Sequence, residues 1–92
     1  MNIQHDREEI LRIAARHGAQ NVRVFGSVAR GEETAASDVD FLVDMDAGRS
    51  LLDLVGWEQD LETLLGRAVD VLTEASLHPL LRERITAEAQ AL

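Results

Sequence analysis

Asp38 and Asp40 stand two residues apart in a segment whose other members are Val39, Phe41, Leu42 and Val43. On a β-strand, residues i and i+2 point to the same face. Their Cα atoms would lie about 6.6 Å apart, on a rise of roughly 3.3 Å per residue. Carboxylates held that close repel each other unless a cation lies between them. Hard oxygen ligands in small number suit Mg²⁺ bound together with substrate phosphates. Before this pair comes Gly26-Ser27-Val28-Ala29-Arg30-Gly31, read as a glycine-serine turn leaving a strand. Its small residues and backbone N–H groups let a phosphate approach closely. The plainer alternative is a solvated edge strand with outward charges. Paired aspartates are disfavoured on strands, however, and local rule-breaking of that kind marks functional sites.

A third carboxylate, Asp70, lies between Val69 and Val71. An unpaired charge inside an apolar strand is costly. Either the position is exposed by chance, or this strand lies beside the Asp38–Asp40 strand. In the second case three carboxylates could hold two Mg²⁺ roughly 3.5–4 Å apart for in-line phosphoryl transfer. Asp70 could then also take the proton of the attacking hydroxyl. Arg30 reads equally as a triphosphate contact or a solvated residue. Ser27 has no evident histidine base, so serine nucleophilic catalysis is a poor reading. Asp44 and Asp46 repeat the spacing but fall beyond the expected strand, in a solvated loop. His5, His17 and His78 are scattered without ligand spacing and read as surface residues.

These residues need elements to position them. Residues 3–17 carry Ile3, Ile10, Ile13 and Ala14 near one helical face, with Gly18 as the stop. Residues 21–25 alternate and are β-branched, which predicts a strand. Residues 26–30 form a turn entering a short helix, and 31–37 a polar connection. Residues 38–43 make the second strand, with Val39, Phe41 and Val43 on one face and Asp38, Asp40 and Leu42 on the other. A polar loop spans 44–49. Ser50 then opens a capping-box-like helix start. That helix carries Leu51, Leu54, Val55, Leu61, Leu64 and Leu65, and Gly66 closes it. Residues 68–72 are the third strand. Pro79 sits in the first turn of a last helix, whose apolar face is Leu80, Leu81, Ile85 and Ala89. The order αβαβαβα predicts an α/β domain: a small mixed sheet of three or so strands flanked by helices.

Composition bounds the rest. The 92 residues read as one small domain, 1–92, with a thin core. No run approaches the ~20 apolar residues of a membrane span, and no secretory signal is visible. Cysteine is absent, which excludes disulfides and thiolate metal sites and fits a cytoplasmic protein. Net charge is −8, so direct nucleic-acid binding is not expected. All nine basic residues are arginine, so a phosphate clamp must use arginine, backbone N–H or metal. The three aromatics, Phe25, Phe41 and Trp57, make no base-stacking platform.

Gly26-Ser27 with Arg30-Gly31, then Ser37-Asp38-Val39-Asp40, then Val69-Asp70-Val71, resembles the GS…DxD…D pattern of the polymerase-beta-like nucleotidyltransferases. The helix-first layout is most similar to their minimal, MNT-type members. The likeness extends through Gly48-Arg49-Ser50-Leu51-Leu52-Asp53-Leu54 and Leu65-Gly66-Arg67-Ala68. The resemblance implies the nucleotidyltransferase fold and Mg²⁺-dependent transfer of a nucleoside monophosphate from an NTP, ATP here. It assigns Gly26 and Ser27, with Arg30, to the phosphates, and Asp38, Asp40 and Asp70 to metal and catalysis. It also implies an antitoxin paired with a HEPN-type RNase toxin, which receives AMP in a hetero-oligomer. Two alternatives stay open: a non-catalytic antitoxin that captures the toxin by binding, and transfer to a small molecule. The last is disfavoured because no acceptor pocket is evident. An open acceptor side instead fits a protein that docks there and excludes water. The acidic surface fits a basic partner.

Overall fold

The computed structural model describes residues 3–32, 34 and 36–92. Met1 and Asn2, and Glu33 and Ala35 of the expected polar connection, lie outside the described residues. A 3₁₀ turn at Ile3–Asp6 leads into α1, Arg7–Arg16. Then follow β1 (Ala19–Phe25), α2 (Gly26–Arg30), β2 (Val39–Met45), α3 (Leu51–Leu65), β3 (Val69–Thr73), α4 (Pro79–Glu88) and β4 (Gln90–Ala91). A second 3₁₀ turn, Glu74–Ser76, precedes α4. The sheet order is β3-β2-β1-β4, with β2 parallel to β3 and antiparallel to β1. The mixed α/β architecture expected from the sequence is present, with four strands rather than three.

The core lies on the face of the sheet covered by α1 and α3. Val39, Phe41 and Val43 of β2 pack with Ile10, Ile13 and Ala14 of α1 and with Trp57 and Leu61 of α3. Phe41 and Trp57 meet with ring centroids 5.6 Å apart at 59°, the tilted arrangement aromatic pairs prefer. β1 buries both Ala19 and Val22, three residues apart, which simple alternation forbids. The register against β2 shifts between Gln20 and Arg23, and Asn21 there takes φ +52°. Asparagine tolerates that left-handed backbone, and the bulge resets the alternation.

Four expectations are corrected. β2 runs two residues further, to Met45, so Asp44 is a strand residue rather than part of a loop. Its carboxylate accepts from Asn21 Nδ2 (3.0 Å) and Arg23 Nη2 (3.2 Å), and Asp46 accepts from Gln20 Nε2. Leu42, expected on the polar face, is wholly buried in β2, a central strand between β3 and β1. α3 opens with the expected capping relation, Ser50 N–H donating to Asp53 Oδ2 at 2.9 Å. Its burial begins later than expected, however: Leu51 and Val55 are exposed, and Trp57 and Leu61 are the buried pair. On α4, Leu80 and Leu81 are 71% and 50% exposed and no residue is buried, so its predicted apolar face is not a core face.

β4 was not foreseen; two residues carry no alternation. It pairs with the free edge of β1, and Leu92 N–H donates to Val22 O at 3.1 Å. His17 is not merely a surface residue: its Nε2 lies 2.7 Å from Asp60 Oδ2, tying the end of α1 to α3. His78 caps α4 by accepting from Leu80 N–H. Among the described residues, no helix is long and apolar enough to cross a membrane.

Candidate active site

The strand order places the three motif segments together. β1 and β2 are antiparallel, and their register sets Phe25 opposite Asp40. The Gly26 turn therefore begins beside Asp40. Gly26 has φ +73°, a conformation glycine adopts without steric cost. A β-carbon there would overlap Asp40 Oδ2 and lie 3.1 Å from its Cγ. Glycine is needed at this position twice over, for backbone and for space. Ser27 follows in the first turn of α2, half-buried, and its carbonyl accepts from Glu32 N–H at 2.9 Å.

On the other side of β2, the parallel ladder sets Asp40 opposite Asp70. Register partners on adjacent strands project from the same face, with strands about 4.8 Å apart. The expected adjacency of the two strands is present, and Asp70 is exposed beside Asp40. Asp38 lies just before β2, two residues from Asp40, and is exposed. Arg67 fixes the segment leading to it. The Arg67 Nη2 donates to Thr34 O at 2.5 Å and to Ser37 O at 2.6 Å. Sequence reasoning missed this arginine; Gly66-Arg67-Ala68-Val69-Asp70 marked the neighbourhood but not a loop clamp.

Asp40 is the most enclosed of the three. Burial pushes its carboxyl pKa up; the charges of Asp70 and then Asp38 push the same way, against Arg30. Among the described residues, no three His, Cys, Asp or Glu side chains converge on one point as a ready-made ligand set. The backbone register nonetheless sets Asp40 and Asp70 side by side on one face. The donors are all anionic oxygens, and like charges set this close are of the kind a divalent cation reconciles. The residues present thus fit Mg²⁺.

Arg30 does not stand free beside the turn. It donates to Glu88 Oε1 at 2.5 Å and to Glu32 Oε2 at 3.2 Å. Glu88 also accepts the Gly26 N–H at 3.0 Å. Nothing in the sequence marked Glu88: it is the last residue of a helix without a buried face, far from the turn it reaches.

Comparison with known proteins fits this arrangement. The profile of the nucleotidyltransferase domain family matches residues 7–92. A Methanocaldococcus jannaschii protein, provisionally named a protein adenylyltransferase, is 48% identical over 89 residues, covering 97% of this chain and 96% of that one. A solved structure provisionally described as a minimal nucleotidyltransferase superposes with a TM-score of 0.89 at 50% identity, covering 98% of this chain and 92% of that chain. A toxin–antitoxin complex crystallised with AMP-PNP contains a chain with the same fold, TM-score 0.80 at 19% identity, covering 94% of this chain and 71% of that chain.

Proposed function

The chain belongs to the nucleotidyltransferase domain family, and from that premise we propose that it is a protein adenylyltransferase. In this reading it transfers AMP from ATP to a hydroxyl of a HEPN-type RNase toxin and acts as that toxin's antitoxin. The observation that carries the reading is the pairing of Asp40 with Asp70 across β2 and β3, with the Gly26 turn against Asp40. The name of the Methanocaldococcus jannaschii relative supports the reaction, and the toxin–antitoxin complex of like fold supports the kind of partner.

The roles follow from position. Gly26 and Ser27 offer backbone N–H groups to the triphosphate, and Arg30 offers a guanidinium. Asp38, Asp40 and Asp70 would hold Mg²⁺, two ions in this reading. When bound, Mg²⁺ supplies positive charge to the phosphates and lowers the pKa of the attacking hydroxyl. The acceptor oxygen forms a bond to the α-phosphorus, the bond to pyrophosphate breaks, and pyrophosphate leaves. Asp70, the most exposed position on the β3 edge of the site, accepts the hydroxyl proton. A docked partner both brings the hydroxyl and excludes water. In this reading the chain works in the cytoplasm, and a sequence without cysteine supports that.

The test is transfer of label from α-labelled ATP to the co-expressed partner, with Mg²⁺ present. Label on the partner from the wild-type chain, lost with Asp38→Ala and Asp40→Ala, supports the reading; no label in a folded complex sinks it. One observation favours a second reading. Leu51, Leu52, Leu80 and Leu81 are exposed, and such surfaces serve capture by simple binding. A double Asp38/Asp40 variant that still protects cells from the toxin selects capture.

A further inference from the structure

The inference drawn here rests on the reading of Gly26, Ser27 and Arg30 as the phosphate-binding groups. Two of those groups already hold an anion from the chain itself. One carboxylate oxygen of Glu88 accepts the Gly26 N–H at 3.0 Å, and the other accepts Arg30 Nη1 at 2.5 Å. Carboxylate and phosphate oxygens ask for the same partners, backbone N–H and guanidinium donors. The two hydrogen bonds hold the Glu88 carboxyl pKa below the ordinary carboxylate range, so it is an anion at neutral pH.

The helix that carries Glu88 has no buried face, while β4 just beyond it is paired to β1. α4 buries none of its residues. A cavity of about 290 Å³ opens between it and the turn, bounded by Phe25 and Gly26 on one side and by Leu81 and Ile85 on the other. Glu88 also adds to the negative charge already felt by Asp40 from Asp70 and Asp38. Its departure would remove one anion from a site that must receive a polyanion.

We propose that Glu88 is a resident competitor for the triphosphate: ATP binds by taking the Gly26 N–H and Arg30 from Glu88, whose side chain swings away while β4 stays paired to β1. Glu88 thereby sets the affinity of the site for nucleotide. The proposal fixes a sign. Removing a structural support weakens ligand binding, whereas removing a competitor strengthens it.

The experiment measures binding of a non-hydrolysable ATP analogue with Mg²⁺ to the full chain by calorimetry. Glu88→Ala is expected to bind about tenfold more tightly than wild type, the worth of one charge-assisted hydrogen bond at about 1.4 kcal/mol per decade. Glu88→Gln keeps the shape without the charge and is expected to fall between; it carries the same test if the alanine variant melts early. Equal or weaker binding by Glu88→Ala and Glu88→Gln, beside a wild type that binds, overturns the proposal and leaves the phosphate reading standing. No binding by wild type or either variant overturns the phosphate reading and this proposal together.

Discussion

Gly26 lies against the carboxylate of Asp40 so closely that a β-carbon at Gly26 would overlap Oδ2. The Gly26 turn and β2 are therefore one packed unit, joined through the β1–β2 register that sets Phe25 opposite Asp40. Gly26→Ala meets both that overlap and a φ of +73°. It is expected to cost about 1–3 kcal/mol, the scale of a strained backbone residue. For a domain of this size each kcal/mol lowers the melting temperature by about 4–8 °C. Transfer activity is expected to fall further than the lost stability accounts for, because Asp40 is pushed aside. Thermal unfolding and activity at a temperature where the variant is folded check both parts.

Asp40→Asn separates stability from function. The Asp40 pKa is raised, by burial first and then by Asp70 and Asp38. A raised carboxyl pKa means that the folded state holds its proton more readily than the unfolded chain. The group's contribution is thus most favourable in acid and is lost as pH rises through the folded pKa. Asparagine removes that charge, so the variant is expected to melt a few degrees higher than wild type at neutral pH. The difference is expected to vanish below the ordinary carboxylate range. Transfer is expected to drop about 10²–10³-fold or more, as when a charge-stabilising group leaves an active site. Melting curves at several pH values, run without divalent metal, give the stability half of this prediction.

Asp53 behaves in the opposite sense. The Ser50 backbone N–H first, then the Arg49 side chain, hold its carboxyl below the usual range. A depressed carboxyl pKa contributes stability that is present above the unfolded pKa and lost as pH falls through the folded one. Asp53→Asn is expected to lower the melting temperature at neutral pH and to make no difference in strong acid. Circular dichroism at 222 nm across a pH series reads it.

Arg67 anchors the backbone just before Asp38 through the carbonyls of Thr34 and Ser37. Lysine cannot reproduce a planar guanidinium that serves two carbonyls. Arg67→Ala and Arg67→Lys are both expected to weaken divalent-metal binding about tenfold, within the range for groups that orient metal ligands. Mn²⁺ binding followed by electron paramagnetic resonance is the check. Unchanged Mn²⁺ affinity in both variants rules out a positioning role.

The sequence made much of this site legible because its signals were local. Asp38 and Asp40 sit at the spacing that shares a strand face, and Gly26 and Ser27 form a turn whose residue types admit only a few uses. Asp70 was readable as an anomaly, a charge between two valines, but its partner was not, because the parallel β2–β3 register is a long-range fact. The same limit hid Glu88 and Arg67, whose partners lie far away in sequence. Helix faces failed where periodicity overstated burial. Leu51, Leu80 and Leu81 follow helical spacing, yet each stays at least half exposed among the described residues. Asp44 failed for a related reason: its place in β2 depends on pairing with Gln20 across the Asn21 bulge, which local propensity does not reveal.

Asp38, Asp40 and Asp70 are proposed to form a working transfer site for a protein acceptor. The most direct test is the intact mass of the co-purified partner after incubation of the complex with ATP and Mg²⁺. The account predicts discrete mass steps of one adenylyl group each with the wild-type chain, and none with an Asp38→Ala/Asp40→Ala double variant that still forms the complex. A partner of unchanged mass in a folded wild-type complex, under the same conditions, would contradict it.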